Sequence, residues 1–289
     1  MVLAYLQTQA EQIRAQDPLV RHDAPDSLHQ LRVAARRMRS ALQAYGKVIA
    51  RDATRALTDE LKWLGGELAQ ARDSEVIDQR LITAINKLPA ELVMGPVAAQ
   101  VTRTLGRRRS DGQATAIAAL NSDRYLDLHN AIDALLTDPP LTKKATRPAR
   151  RELPRHMGRA WRRLNTRMAT ADALQPGPER DDALHETRKA GKRLRYAAEV
   201  AEPAIGKPAK RLTKRAKAVH KQLGDHQDAV VAKPVIRELG AQAHLDGGNG
   251  FTFGVLHGIE DDRARTAERE LPATWRKLTN PKVTTWLQR

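Results

Sequence analysis

The chain has 289 residues, a net charge of +16 and a hydrophobic share of 41%, of which aromatic residues supply only 3%. It has no cysteine, which excludes disulfides, thiolate metal sites and a cysteine nucleophile. Ala, Leu, Arg, Glu, Gln and Lys dominate and favour helix, while runs of Val, Ile or Thr are few, so an all-α fold is expected.

In chain order, the first half predicts helices near 2–16, 25–49, 52–87, 95–119 and 122–137, with Asn121-Ser122-Asp123 as an N-cap for the last. Pro139-Pro140 cannot continue a helix and marks a boundary, giving expected domains at 1–140 and 141–289. The second half predicts helices near 147–171, 179–202, 206–240 and 251–278, with Pro234 a point of kinking or splitting. Gln175-Pro176-Gly177-Pro178 and Gly247-Gly248-Asn249-Gly250 read as loops. Charge is unevenly shared. Residues 1–141 carry 18 Lys+Arg against 17 Asp+Glu, and the remainder 32 against 17. A one-sided positive potential concentrates polyanions near the second half.

One segment occurs twice. Leu28-His29-Gln30-Leu31-Arg32-Val33-Ala34-Ala35-Arg36-Arg37-Met38-Arg39 returns as Leu184-His185-Glu186-Thr187-Arg188-Lys189-Ala190-Gly191-Lys192-Arg193-Leu194-Arg195. Leu68–Asp73 lines up with Leu223–Asp228 at nearly the same offset, which argues for duplication of a whole helical unit, hence two bundles. On a helical wheel, Leu28, Leu31, Ala35, Met38, Leu42 and Tyr45 form a core stripe. His29, Arg32, Arg36 and Arg39 lie beside it, and Arg37 points away. The second copy puts His185, Arg188, Lys192 and Arg195 beside Leu184, Thr187, Gly191 and Leu194. Cations one turn apart repel one another, so such a row makes sense when a ligand supplies the negative charge. Lys207, Lys210, Lys214, Lys217 and Lys221 share another face, with Arg51, Arg55 and Lys62 as the sparser equivalent. Arg147, Arg151, Arg155, Arg159 and Arg162 form a third stripe.

The doubled His-x-x-Arg-x-x-x-[Arg/Lys]-Arg-x-Arg segment resembles the signature of the CHAD family, the conserved histidine α-helical domain. Leu68–Asp73 resembles its second motif, Leu-Gly-x-x-Arg-Asp, with Ala69 in place of Gly; in the second copy Gln227 replaces the Arg. The resemblance implies two four-helix bundles related by approximate twofold symmetry, with inorganic polyphosphate bound in a basic groove between them. By position, His29, Arg32, Arg36, Arg39, His185, Arg188, Lys192 and Arg195 would carry that role, followed by Arg55, Lys62, Lys210 and Lys217. Lys214 and Lys221 join them from the shared lysine face. The Glu-x-Glu-x-Lys mark of the CYTH domain fused to many members does not occur, so the expectation is a stand-alone binding module with no catalytic residue.

Polyphosphate has about one charge per phosphate and no bases. Arg supplies paired donors to its oxygens and Lys a mobile point charge. Nucleic acid is the secondary candidate partner, but single-strand binding uses stacking aromatics that here do not interleave with the cationic stripes. The acids Asp73, Glu75 and Asp78, the run Glu260-Asp261-Asp262, and Asp225, His226 and Asp228 read as helix-surface groups pairing with arginine, so neither metal nor cofactor is expected. The first residues lack the charged start and long apolar core of a signal peptide, and no apolar stretch reaches a membrane span. The expected location is the cytoplasm, with polyphosphate granules added by the resemblance; no membrane and no required protein partner is inferred.

Overall fold

The computed structural model describes residues 1–288, and among them every regular element but one is helical. The helices are α1 (Val2–Arg21), α2 (Ser27–Ala44), α3 (Arg55–Glu67), α4 (Ala69–Ile85), α5 (Val97–Leu120), α6 (Asp123–Thr137), α7 (Ala149–Asp172), α8 (Pro178–Ile205), α9 (Lys207–Leu245), α10 (Phe251–Thr279) and α11 (Pro281–Thr284). The exception is a lone antiparallel bridge between Ile49 and Leu141. The all-α expectation holds.

Local chemistry sets the ends. Ser122 caps α6 by accepting from the Tyr125 amide through its side chain, as the Asn-Ser-Asp spacing predicts. α8 stops at Gly206, whose φ of +72° suits a residue without a Cβ. Several features differ from the sequence reading, three of them at proline or glycine. α1 runs past Pro18 to Arg21, because a proline in the last turn removes only one hydrogen bond. The long helix expected over 52–87 divides at Leu68, just after Gly65-Gly66, where two glycines weaken the helix. α9 passes through Pro234 without dividing.

The segment between the halves is tied down rather than free. The Ala50 amide donates to the Pro140 carbonyl at 2.7 Å and the Thr142 amide to Val48 at 2.9 Å.

Residue 140 is a boundary in the chain but not in the core. The larger apolar cluster runs from Val2 on α1 to Leu287 and joins α1, α2, α3 and α6 to α7, α8 and the first part of α9. A smaller cluster packs Leu81 and Ile85 of α4 and Val97, Val101 and Leu105 of α5 against Ile236 and Leu239 of α9 and Phe253 and Leu256 of α10. Each apolar cluster thus draws on residues from both 1–140 and 141–289. Burying apolar surface across the halves couples them energetically.

The seam that matters most is α2 against α8. The buried Tyr45 hydroxyl at the C-cap of α2 donates to the Ala197 carbonyl on α8 at 2.6 Å. Arg36 Nε donates to the Tyr196 hydroxyl at 3.2 Å. These bonds fix the register in which the two repeated segments face each other.

Candidate anion-binding site

The core stripe of α2 is buried along its length: Leu28, Leu31, Ala35, Met38, Leu42 and Tyr45 are each at most 9% exposed. The neighbouring His29, Arg32, Arg36 and Arg39 are consequently half-buried at the flank. α8 repeats this with Leu184, Thr187, Gly191 and Leu194 inside and His185, Arg188, Lys192 and Arg195 half-buried. Because α2 and α8 pack together, the two cationic rows converge.

Lys192 lies at the convergence. Burial pushes its ammonium down to about 6, and Arg188, Arg36 and Arg32 push in the same direction, with Asp228 opposing. His220 on α9 is also driven far below the ordinary histidine range, by burial first and then by Arg188, Lys192, Arg195 and Arg36. Charges from three helices thus meet in one place. An open trough of about 520 Å³ continues from here along α9, lined by Arg188, Arg195, Lys214, Lys217, His220 and Lys221 together with Gly224, Asp225 and Asp228. A larger hollow of about 840 Å³ runs along α5, but its charged lining is Asp23 and Arg109, already paired at 3.0 Å. Size does not pick the site; unneutralised charge does.

The two halves repeat their supporting contacts. Arg32 Nη1 reaches Asp73 Oδ1 at 3.1 Å and the Ala69 carbonyl at 3.3 Å. In the second half Arg188 packs beside Gly224 and is drawn toward Asp228, the counterparts of Ala69 and Asp73. His185 Nδ1 lies 2.7 Å from Gln227 Oε1, and Arg72, the counterpart of Gln227, is the main charge beside His29. So the Leu68–Asp73 and Leu223–Asp228 segments position the arginines and histidines of the neighbouring helix. Burial holds both histidines below their ordinary range. Arg72 adds to that at His29, while the Gln227 bond opposes it at His185. Each is poised to take a proton when an anion arrives.

Other candidates fall differently. Arg39 lies beside Arg36 and outside the trough lining, with its pKa lowered mainly by burial. It also lies near Arg193, which α7 faces with Arg163 and Arg167. Those three extend the positive surface past α8 and do not belong to the stripe read from α7. That stripe is partly neutralised: Arg147 and Arg155 both turn to the buried Glu152, at 3.1 and 3.4 Å. Arg37 does not point away. It lies 3.5 Å from Glu199 of α8, which also pairs with Arg195 at 3.1 Å, so Arg195 enters the trough with its charge shared. Lys210 is exposed on α9, and Arg55 and Lys62 are exposed on α3; none of the three is in the trough lining. Sequence reasoning missed His220, although its place one turn past Lys217 on the lysine face was a usable signal.

Asp225, His226 and Asp228 do not converge: Asp225 is exposed and lines the trough with Asp228, whereas His226 is buried on the other side of α9, beside Asp181 and Glu268. Among the described residues, no helix is long and apolar enough to cross a membrane.

The CHAD domain family model matches residues 4–237. Two relatives from Mycobacterium tuberculosis, the uncharacterized proteins MT2285 (strain CDC 1551 / Oshkosh) and Rv2226 (strain ATCC 25618 / H37Rv), are each 35% identical over 275 residues. The match covers 93% of this chain and 51% of theirs, so the chain spans about half the length of the curated relatives it matches. Among solved structures, PptA from Streptomyces chartreusis superposes with a TM-score of 0.78 at 23% identity, covering 95% of this chain and 98% of that one. The CHAD domain from the plant Ricinus communis superposes at 0.63 and 24% identity, covering 99% and 90%. At such identities the likeness to both structures is one of fold. From the family match and the doubled signature, the chain belongs to the CHAD domain family.

Proposed function

We propose that this protein binds inorganic polyphosphate where α2 converges on α8 and along the adjoining trough of α8 and α9, and does not turn it over. The observation that carries the reading is the surroundings of Lys192: three arginines from two repeated helices crowd a half-buried lysine, with Asp228 opposing them. Folding does not require that crowding, and like charges at this spacing repel. An extended anion offsets the repulsion along the whole length, including Lys214, Lys217 and Lys221. Arginine forks suit its oxygens, and the trough needs nothing from a base.

The same features disfavour nucleic acid. Tyr196, the aromatic residue at the convergence, is 1% exposed with its hydroxyl engaged by Arg36, so it offers no stacking face.

The test is competition. Labelled polyphosphate bound to the full chain at near-physiological salt is displaced by unlabelled polyphosphate, single-stranded DNA or RNA at matched phosphate concentration. Polyphosphate is expected to displace at a concentration lower by about tenfold or more, with affinity falling steeply as salt rises. Equal displacement by DNA would make this a general polyanion binder. Phosphate released during incubation with Mg²⁺ would contradict binding without turnover.

A further inference from the structure

Asp181 from the first turn of α8, His226 from the middle of α9 and Glu268 from α10 meet on the side of α9 away from the trough. His226 is 2% exposed. Its Nε2 lies 3.2 Å from Asp181 Oδ1 and 3.3 Å from Glu268 Oε1, yet it has no well-aligned hydrogen bond to either. One donor atom from each residue lies within 4.8 Å of the other two. A tetrahedral ion with bonds of about 2.0–2.1 Å sets its ligands roughly 3.3 Å apart, the separation found here around His226.

The surroundings orient the ligands. The second oxygen of Glu268 accepts from Arg180 Nε at 2.8 Å, and the same guanidinium donates to the Ala171 and Leu174 carbonyls. Ligating carboxylates held this way by outer-shell partners are a regular feature of metal sites. The first half shows that the fold does not need the polar cluster. There Ala71 stands where His226 stands, and Gly112 of α5 packs so closely on it that a Cβ would collide with the Ala71 backbone. One copy of the helix crossing is closed by two small residues, whereas the other buries an imidazole between two acids. Burying those groups costs free energy unless something compensates them.

We propose that Asp181, His226 and Glu268 bind one divalent transition-metal ion of the Zn²⁺ or Co²⁺ kind, joining α8, α9 and α10. One imidazole and two carboxylates form a mixed nitrogen–oxygen set that suits first-row ions better than Mg²⁺ or Ca²⁺. Three protein ligands leave a position for water. The rival is a charged His226 bridging two carboxylates with no ion.

The experiment uses the full chain, stripped with a chelator and free of polyphosphate. Co²⁺ is added and its visible absorption followed; Zn²⁺ binding is then measured by calorimetry. One Co²⁺ per chain is expected, with the intense bands of a four- or five-coordinate ion, displaced by Zn²⁺. His226→Ala and Glu268→Gln are each expected to weaken Zn²⁺ binding at least tenfold, and Zn²⁺ to raise the melting temperature of the wild type but not of Glu268→Gln. Glu268→Gln keeps the side chain's shape and an oxygen for Arg180. With Asp181→Asn it decides the matter if His226→Ala does not fold, as judged by circular dichroism. Wild type that takes up no ion, or equal binding by wild type and Glu268→Gln, overturns the proposal in favour of the bridging histidine.

Discussion

Replacing Arg36 and Arg188 together by glutamine is expected to lower polyphosphate affinity by about 100-fold or more, since each charge-assisted hydrogen bond contributes roughly 1.5–3 kcal/mol. The two residues come from different copies of the repeat and flank Lys192. The control is the pair Arg55→Gln and Lys62→Gln on α3. Both side chains are exposed and outside the trough lining, so the control is expected to change affinity by less than about threefold, as rim charges do. Fluorescence titration with labelled polyphosphate measures both, and circular dichroism checks helicity. Equal losses in the two pairs would mean that diffuse positive charge, and not the convergence of α2 and α8, governs binding.

Polyphosphate binding is also expected to take up protons. With its ammonium held down to about 6 by burial and by Arg188, Arg36 and Arg32, Lys192 is mostly neutral in the free protein near pH 7.5. A bound polyanion restores the charged form, so binding should take up close to one proton there, and affinity should rise as pH falls from 8 toward 6, by up to about tenfold per unit. The histidines His29, His185 and His220, all held below their ordinary range by burial, can add to the uptake. Calorimetry in buffers of different ionisation enthalpy counts the protons, and Lys192→Gln should remove most of the uptake. Binding heats that do not depend on the buffer would refute the coupling. The sign for stability follows from the same shift. Lys192 titrates lower folded than at its ordinary 10.5, so the unfolded chain binds the extra proton between those values. The free protein should therefore lose stability as pH falls through that window, and added polyphosphate should offset the loss.

Much of the trough was legible because a helix has a fixed period. The positions of Leu28, Leu31, Ala35 and Met38 imply which residues flank them, and the structure finds His29, Arg32, Arg36 and Arg39 there, half-buried. The repeat also told which segment supports which arginine, since Arg32 meets Asp73 and Arg188 is drawn to Asp228. Periodicity within one helix does not say what lies opposite. Arg37 looked outward on its own wheel, but α8 brings Glu199 to it. The third basic stripe showed its arginines but not their pairing: Glu152 lies among them and takes two. Asp181, His226 and Glu268 lie on three helices and share no local pattern. How the core is shared between the halves is likewise not written in one helix's period. Ile236 and Phe253 pack with Leu81 and Val101 across the halves.

A crystal structure with a short polyphosphate bound is the most direct measurement. Phosphate oxygens are expected within about 3 Å of Arg36, Arg188 and the Lys192 ammonium, with the chain running on toward Lys214, Lys217 and Lys221. A polyphosphate lying along Arg147–Arg162 of α7, with Arg36, Arg188 and Lys192 touching none of its oxygens, would contradict the account.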